Sequence, residues 1–428
     1  MQTKACQNCK KDFNIDQRDQ DYYAKIKVPH PTFCLEFHMM RRMAFMNIFS
    51  LYKRTCDKCG ENIISMFKPG SPYIVYCSSC WWGDSWDGSE YAMDYDPSRP
   101  FLEQLKELSL KTPYMAVDTL YTSMINSSYA NYASNLKNCY GLFYADYCEN
   151  SYYSEYLNGL NDSSDCYRMY KSELCYGSVG MGTCARSVFS EECDGCVGVI
   201  LSKNCVGCTD CFGCVNLRRK SYCIYNKQYS KEEYFEFIKN AELNKFSNLQ
   251  KYKKEAQEFW LTQPMREYYG NALNVNVSGN YIYESKNVLD GYMVSGAEDS
   301  RYVQWLSVPT TKDSYDYSCW GGNAELIYES YIAGHGASNI KFSGGSYPDV
   351  MNIEYSVYAS GCKNVFGCIN LKKKSYSILN KQYEKEEYEN LCKKIISEMD
   401  KNAFVDVRGI TYKYGEMLPF EISGYAYN

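Results

Sequence analysis

Between residues 120 and 230 small residues recur with a fixed step. Cys139, Cys148, Leu157, Cys166, Cys175, Cys184 and Cys193 stand nine apart, and after a slip of three Cys196, Cys205, Cys214 and Cys223 resume the step. Ala145, Ser154, Ser163, Ser172 and Ser190 form a small-residue column three positions earlier, and Phe143, Tyr152, Tyr170, Val179 and Val188 form a bulky one. A short period with stacked small and aromatic columns predicts a β-solenoid, in which nine residues make half a coil and alternate cysteines share a face. A second zone, from about 280 to 376, breaks into units of about thirteen: "YDYSCWGGNAELI", "YESYIAGHGASNI", "KFSGGSYPDVMNI" and "EYSVYASGCKNV". Gly near the middle and Asn or Asp toward the ends suit sharp corners between short strands.

Both zones close with one cassette. "GCTDCFGCVNLRRKSYCIYNKQYSKEEY" (207–234) aligns without gaps to "GCKNVFGCINLKKKSYSILNKQYEKEEY" (361–388), which marks a duplication. A helix is expected after each copy, the first with Ser230 and Glu233 as a capping box, and such helices would cover the apolar edge of a last coil. "FLEQLKELSLKT" reads as a bridging helix, and "MMRRMAFMNIFSLYKR" as a helix with a Met/Phe face and a solvated basic face. The layout is therefore mainly β: tandem zinc ribbons (1–92), a helical linker (93–118), a first β-solenoid segment (119–229), a helical cap or linker (230–268), a second β-solenoid segment (269–383), and a C-terminal helix and tail (384–428).

Composition sharpens this picture. The 428 residues include 45 Tyr, which favour pleated surfaces, and 23 Cys. The net charge of −5 argues against a general nucleic-acid or membrane coat. No run approaches the roughly 18 apolar residues of a membrane span, and no secretory signal opens the chain. A cytoplasmic location is expected, where thiols stay reduced and serve as metal ligands or small buried apolar groups.

The strongest motif is Cys56-x-x-Cys59 … Cys77-x-x-Cys80, two knuckles spaced to wrap one tetrahedral zinc ion, with Gly60 at a tight turn after the first. The alternative is four unrelated core cysteines. Metal would supply folding energy on the order of 10 kcal/mol and let so small a module stand alone. A preceding site has Cys6, Cys9 and Cys34, with Phe37 where a fourth cysteine belongs; either His38 completes a Cys3His set or the module is held by packing. One or two zinc ions are expected. Arg41, Arg42, Arg218, Arg219, Lys220, Lys372, Lys373 and Lys374 are candidate phosphate contacts, against the plainer reading of solvated faces.

The segment "CQNCKKDFNIDQRDQDYYAKIKVPHPTFC" resembles the probable zinc-ribbon domains, a likeness that carries over to Cys6, Cys9 and Cys34, since "CLEFH" replaces their second knuckle. The whole layout resembles an uncharacterised bacterial family with two ribbons, Cys/Tyr-rich repeats, the cassette with Asn-Lys-Gln-Tyr, and a tail of the type Tyr414-Gly415-Glu416-Met417-Leu418-Pro419. The resemblance implies no known activity, and implies a native chain continuing beyond residue 428.

Three further chemistries fit parts of the sequence less well. Cys205, Cys208, Cys211 and Cys214 invite an iron–sulfur cluster or thiol redox reading, but the second cassette has Ala359, Cys362, Val365 and Cys368 there, so small apolar groups suffice. Calcium-binding nonapeptide repeats need Gly and Asp at set places that are missing, so calcium is not expected. Only His30, His38 and His335 are present, and no nucleophile elbow, phosphate loop or dinucleotide fingerprint appears; a polymer-acting enzyme would use Asp290, Asp299, Asp313 and Asp316 on one face. The preferred reading is a non-enzymatic zinc-binding scaffold offering a rigid Tyr-rich surface to a protein partner, with nucleic acid as the alternative and no membrane.

Overall fold

The computed structural model describes residues 1–425; the last three residues of the expected tail lie outside the described residues. The chain is mainly β, with seven α-helices among the described residues. The N-terminal part carries hairpin Gln2–Ala5/Asp12–Ile15, helix α1 (Gln17–Ile26), helix α2 (Leu35–Ala44), hairpin Tyr52–Thr55/Asn62–Ser65, the short helix α3 (Ser78–Trp82) and α4 (Phe101–Lys111). A first stack of parallel strands follows, then α5 (Lys231–Ala241) and α6 (Phe246–Leu261), a second stack, α7 (Lys385–Lys401) and a small hairpin, Phe404–Val405/Thr411–Tyr412.

In the first stack the register advances by twelve residues, not by nine or eighteen: Leu142 pairs with Ser154, Leu157 with Met169, Val199 with Cys211. Bridges such as Lys137–Glu149, Tyr152–Ser164 and Glu173–Ala185 carry the same offset, so all parts of one repeat lie on the next. Within a repeat every third side chain is buried, as in Cys139, Leu142, Ala145 and Cys148. The residue preceding each buried position is left-handed, as Asn138, Gly141, Tyr144 and Tyr147 are. A repeat thus has four inward positions and four corners. Nine is three such steps, so the cysteine rhythm moves from one side to the next instead of stacking on one face. The slip of three before Cys196 is one more step and keeps the thiol inward.

The corners explain the composition. Left-handed backbone favours Gly, Asn and Asp. Each turn also strands backbone groups, and short inward side chains satisfy them: Ser154 Oγ donates to the Tyr152 carbonyl (2.8 Å) and accepts from the Cys166 amide (2.9 Å). Cys184 plays the same part through Sγ, donating to the Gly182 carbonyl and accepting from the Cys196 amide. A thiol here is a small apolar group with a weak donor.

In the second stack the offset is twelve at its start (Gly279–Gly291) and end (Met351–Lys363), and thirteen where the thirteen-residue units were read, as in Tyr315–Tyr328 and Ser338–Met351. The duplicated cassette folds identically in both copies. The amides of Asn226 and Asn380 donate to Cys214 and Cys368 Sγ, and their side-chain carbonyls accept from Val215 and Ile369, each at 2.9 Å. Each copy then turns back in an antiparallel strand, Lys227–Gln228 or Lys381–Gln382, that ends the parallel pairing.

The stacks lie side by side and run in opposite senses. Tyr156 packs on Trp305, Tyr167 meets Met293, Arg168 covers the Tyr281 ring, and Arg266 covers Tyr269 while reaching Asn204. As numbering rises along one stack it falls along the other.

The helices depart from expectation in two ways. The thirty-residue helix expected after the first cassette breaks at Glu242, whose backbone is left-handed; the Ser230/Glu233 capping box is present on α5. The face of α2 is inverted: Arg41 and Arg42 are buried, whereas Met39 and Met40 are exposed. Nor does the N-terminal module stand alone. Ile15, Phe37, Phe67 and Leu105 share one hydrophobic core with Tyr328, Phe342 and Tyr355 of the second stack and Tyr412 and Met417 of the C-terminal segment.

Candidate metal centres and their surroundings

The two hairpins are built alike. In each a knuckle follows the first strand, with Cys6 N–H donating to Lys11 O (2.9 Å) and Cys56 N–H to Glu61 O (2.8 Å). Lys10 and Gly60 hold the same left-handed corner; glycine takes it without strain, and lysine does not. The third cysteine of each site caps a helix, Cys34 for α2 and Cys77 for α3, and its amide donates to Cys6 Sγ (3.3 Å) or Cys56 Sγ (3.2 Å).

Cys56, Cys59, Cys77 and Cys80 bring four sulfurs within 4.8 Å of one another. Cys59 and Cys77 Sγ lie 3.8 Å apart, as do Cys9 and Cys34 Sγ in the first site. Ligands about 2.3 Å from a tetrahedral zinc are separated by about 3.8 Å. The donor set therefore fits a metal. Burial raises the Cys56 thiol, but amide donors from Cys77, Cys59 and Lys58 outweigh it and bring it down to about 7, toward the thiolate a metal requires. Beside this site an open cleft of about 1100 Å³ is lined by Lys53, Asn62, Ser78, Tyr121 and Asn126.

The first site brings together three thiols, Cys6, Cys9 and Cys34. Phe37 stands three residues after the capping Cys34, where Cys80 stands after Cys77, and packs against Phe33 and Phe420. His38 does not complete this set. One residue further along α2 it points about 100° away, into the second stack, where Nδ1 lies 3.3 Å from Asp316 and 3.6 Å from Glu329, and Nε2 lies 4.0 Å from Glu416.

His38 belongs to a fully buried charged cluster that the sequence reading missed. Arg41 Nη2 bridges Glu329 (2.8 Å) and Glu416 (3.1 Å), and Arg42 reaches Asp316 (3.1 Å) and Ser318 (2.9 Å). His38, Glu329 and Glu416 are close enough to hold a cation, but the Arg41 guanidinium already supplies that positive charge between the two carboxylates. Three carboxylates face two guanidiniums, and a protonated His38 brings the sum to zero. Burial alone lowers the imidazole, but Glu329 and Asp316 outweigh it and the net direction is up. The Asp316 carboxyl, raised by burial, is brought below its usual value by His38 and Arg42.

Several expected phosphate contacts are committed inside the protein. Arg41 and Arg42 are buried as described. Lys372 is half-buried under Trp81, Trp82 and Trp86, with ring centroids 4.7, 5.0 and 4.8 Å from Nζ, and donates to the Trp81 carbonyl; burial lowers its ammonium. Arg218 donates to the Asn204 and Leu217 carbonyls, and Lys374 lies 3.7 Å from Asp87. Arg218, despite those contacts, is exposed, as are Arg219, Lys220 and Lys373. Of the acidic residues expected to serve polymer chemistry, Asp299 and Asp313 line one open cleft, where Asp299 accepts from Asn287 and Asp313 pairs with Lys25, but Asp316 is buried and Asp290 pairs with Arg301 outside that cleft. His335 takes a left-handed corner with its ring edge against Trp320.

Cys205, Cys208, Cys211 and Cys214 occupy the four inward positions of one repeat, each donating to the carbonyl two residues earlier. Their spacing of three is the spacing of inward positions, which accounts for the motif. Among the described residues, the thiol groups that converge closely enough for a metal are those of the two hairpin sites.

No family model matches the chain, and no curated protein matches it. A solved structure described as "putative acetyltransferase from Desulfovibrio desulfuricans G20" is 13% identical over 59% of this chain and 66% of that one, just under two thirds of its length, with a TM-score of 0.11. At that score the likeness carries no argument. Among the described residues, no helix is long and apolar enough to cross a membrane.

Proposed function

We propose that this protein is a non-enzymatic, zinc-binding scaffold whose two antiparallel stacks are β-solenoid segments presenting a rigid surface to a protein partner. The observation that carries the reading is the convergence of Cys56, Cys59, Cys77 and Cys80 on a module packed into the same core as the second stack. Zinc at that site would fix α3 and its tryptophans over Lys372 of the cassette, so the metal would brace the scaffold. Repeats that stack in register give a long stiff surface, and tyrosines lose little entropy when they bind.

Elemental analysis of protein purified without added metal tests the first half. One or two zinc ions per chain, lost on Cys56→Ser with loss of thermal stability, support the reading; iron, or no metal, sinks it. Affinity capture with the intact chain tests the second. A stoichiometric protein partner supports it, whereas retention on nucleic acid that falls steeply with salt would favour a phosphate-binding role for Arg219, Lys220 and Lys373.

A further inference from the structure

The two stacks carry the same outward stripe. In the first, successive bridges lead from Tyr140 through Tyr152, Ser164 and Tyr176 to Val188, and on to Phe212. In the second they lead through Arg301, Tyr315, Tyr328, Lys341 and Glu354 to Phe366. The duplicated cassette fixes the correspondence, because Phe212 and Phe366 hold the same position in its two copies.

The stripe of the second stack is covered along its length. Tyr22 of α1 stacks on Tyr315 at 3.8 Å, Tyr414 packs against Tyr355, and Phe101 of α4 meets Phe366 at 5.1 Å. Three acidic groups on or beside it meet a cation from the cover, Arg42 for Asp316, Arg41 for Glu329 and Lys25 for Asp313, while Glu354 pairs with Lys341 of the stripe itself and Arg301 of the stripe meets Asp16 and Asp19 of the cover. The cover is made of the amphipathic helices α1, α2 and α4 together with the C-terminal segment around Tyr414, and most of its contacts to the stripe are aromatic or basic.

The stripe of the first stack is covered only over its far half. Phe237 of α5 and Tyr252 of α6 pack on Phe212, Phe259 packs on Tyr225, and Lys253 lies over Phe189. Over the near half Tyr140 is 46% exposed, Tyr152 41%, Tyr153 63% and Tyr176 47%. Glu155, Asp162, Asp165 and Glu173 border this half, while the nearby Lys137 is answered by Glu149. It is an aromatic surface with an acidic margin, continuous with one that α5 and α6 already occupy.

We propose that the exposed half, centred on Tyr152 and Tyr153, receives an amphipathic helix of a partner protein, aromatic on one face and flanked by Arg or Lys, laid in line with α5 and α6. This rests on the protein-partner reading above and names the partner's chemistry.

The test places a photo-crosslinking benzoylphenylalanine in the intact, metal-loaded chain at Tyr153, with Tyr147 and Tyr170, also exposed but off the stripe and its margin, as reference positions. Crosslinks at Tyr153 and not at the other two, into a helix-forming segment rich in aromatic and basic residues, support the proposal. Removing two aromatic contacts with Tyr140→Ser and Tyr176→Ser is expected to lower that adduct at least about tenfold. The exposed reversals Asp165→Lys and Glu173→Lys, which leave the core untouched, are expected to lower it as well. Crosslinking to a second copy of this chain, or to an acidic or extended segment, overturns the proposal. Adducts at Tyr147 or Tyr170 without one at Tyr153 overturn this face and leave the protein-partner reading standing. No adduct at any of the three overturns both.

Discussion

Arg41 Nη2 lies 2.8 Å from Glu329 Oε2, and neither side chain is exposed to solvent. The pair joins α2 to the second stack, and Glu416 brings the C-terminal segment to the same guanidinium. Removing one partner leaves a buried charge unanswered, which costs about 3–5 kcal/mol. Arg41→Leu is therefore expected to lower the urea midpoint strongly, whereas Arg219→Leu on the exposed cassette should change stability by less than about 0.5 kcal/mol. Equal effects from the two would contradict the buried network.

The same cluster sets a pH dependence. The imidazole of His38 is held above its ordinary value near 6.5 by Glu329 and Asp316 against the opposing effect of burial. The folded state thus binds this proton more tightly than the unfolded one. Its contribution is full below about pH 6.5 and is lost as pH rises through the folded value. Thermal melts between pH 6 and 9 should fall toward the alkaline end, and His38→Gln should flatten that part of the curve.

The first hairpin site offers a gain of function. Phe37→Cys restores the fourth thiol at the position Cys80 holds in the second site. It removes a buried ring at a cost of about 3–5 kcal/mol, against a metal contribution on the order of 10 kcal/mol. The expected result is tighter retention of a second zinc during titration with a chelator. Unchanged retention would mean that position 37 does not face the Cys6, Cys9 and Cys34 thiols.

Inside the first stack the expectation is tolerance. Cys205→Ala and Cys211→Val reproduce the residues found at Ala359 and Val365 in the second cassette. Near-isosteric apolar swaps cost less than about 1.5 kcal/mol. The double variant should fold with unchanged circular dichroism and unchanged metal content; loss of bound iron or of a visible chromophore would restore the cluster reading.

Lys372 and Lys373 separate structure from surface. Lys372→Met loses three tryptophan faces and a carbonyl partner, and should cost about 1–2 kcal/mol. Lys373→Met should cost almost nothing. A parallel loss in both would argue that the tryptophans do not enclose Lys372.

The chain announced its repeats, its four-thiol site and its duplicated cassette because each rests on local spacing. Cys56, Cys59, Cys77 and Cys80 need only two knuckles and two hairpin strands to converge. The coil length was hidden because cysteine recurs at every third inward step through much of the zone, whereas a coil has four such steps. The nine-residue rhythm is then strong in sequence, although the pairing partner is always twelve away. The role of α2 was illegible for a different reason. Nothing near Arg41, Arg42 or His38 indicates that their carboxylates come from Asp316, Glu329 and Glu416, so a basic face read as solvated became the most deeply buried one. A hint existed in the exposed-looking Glu416 of the Tyr-Gly-Glu tail, whose side chain also accepts from the Thr32 amide and hydroxyl.

The bridge from Arg41 to Glu416 spans 375 residues of chain. At translation rates of about 5–20 residues per second, α2 waits roughly twenty to seventy-five seconds for the carboxylate that completes its partnership. During that interval the hairpins can fold and take up metal, since their ligands are all made within the first 80 residues. The core they share with the second stack cannot close. Both arginines are unanswered until Asp316 and Glu329 are made, and the second carboxylate of Arg41 comes only with Glu416. The Glu416 segment acts as the fastener, and a chain cut short before it leaves that end of the charged seam open.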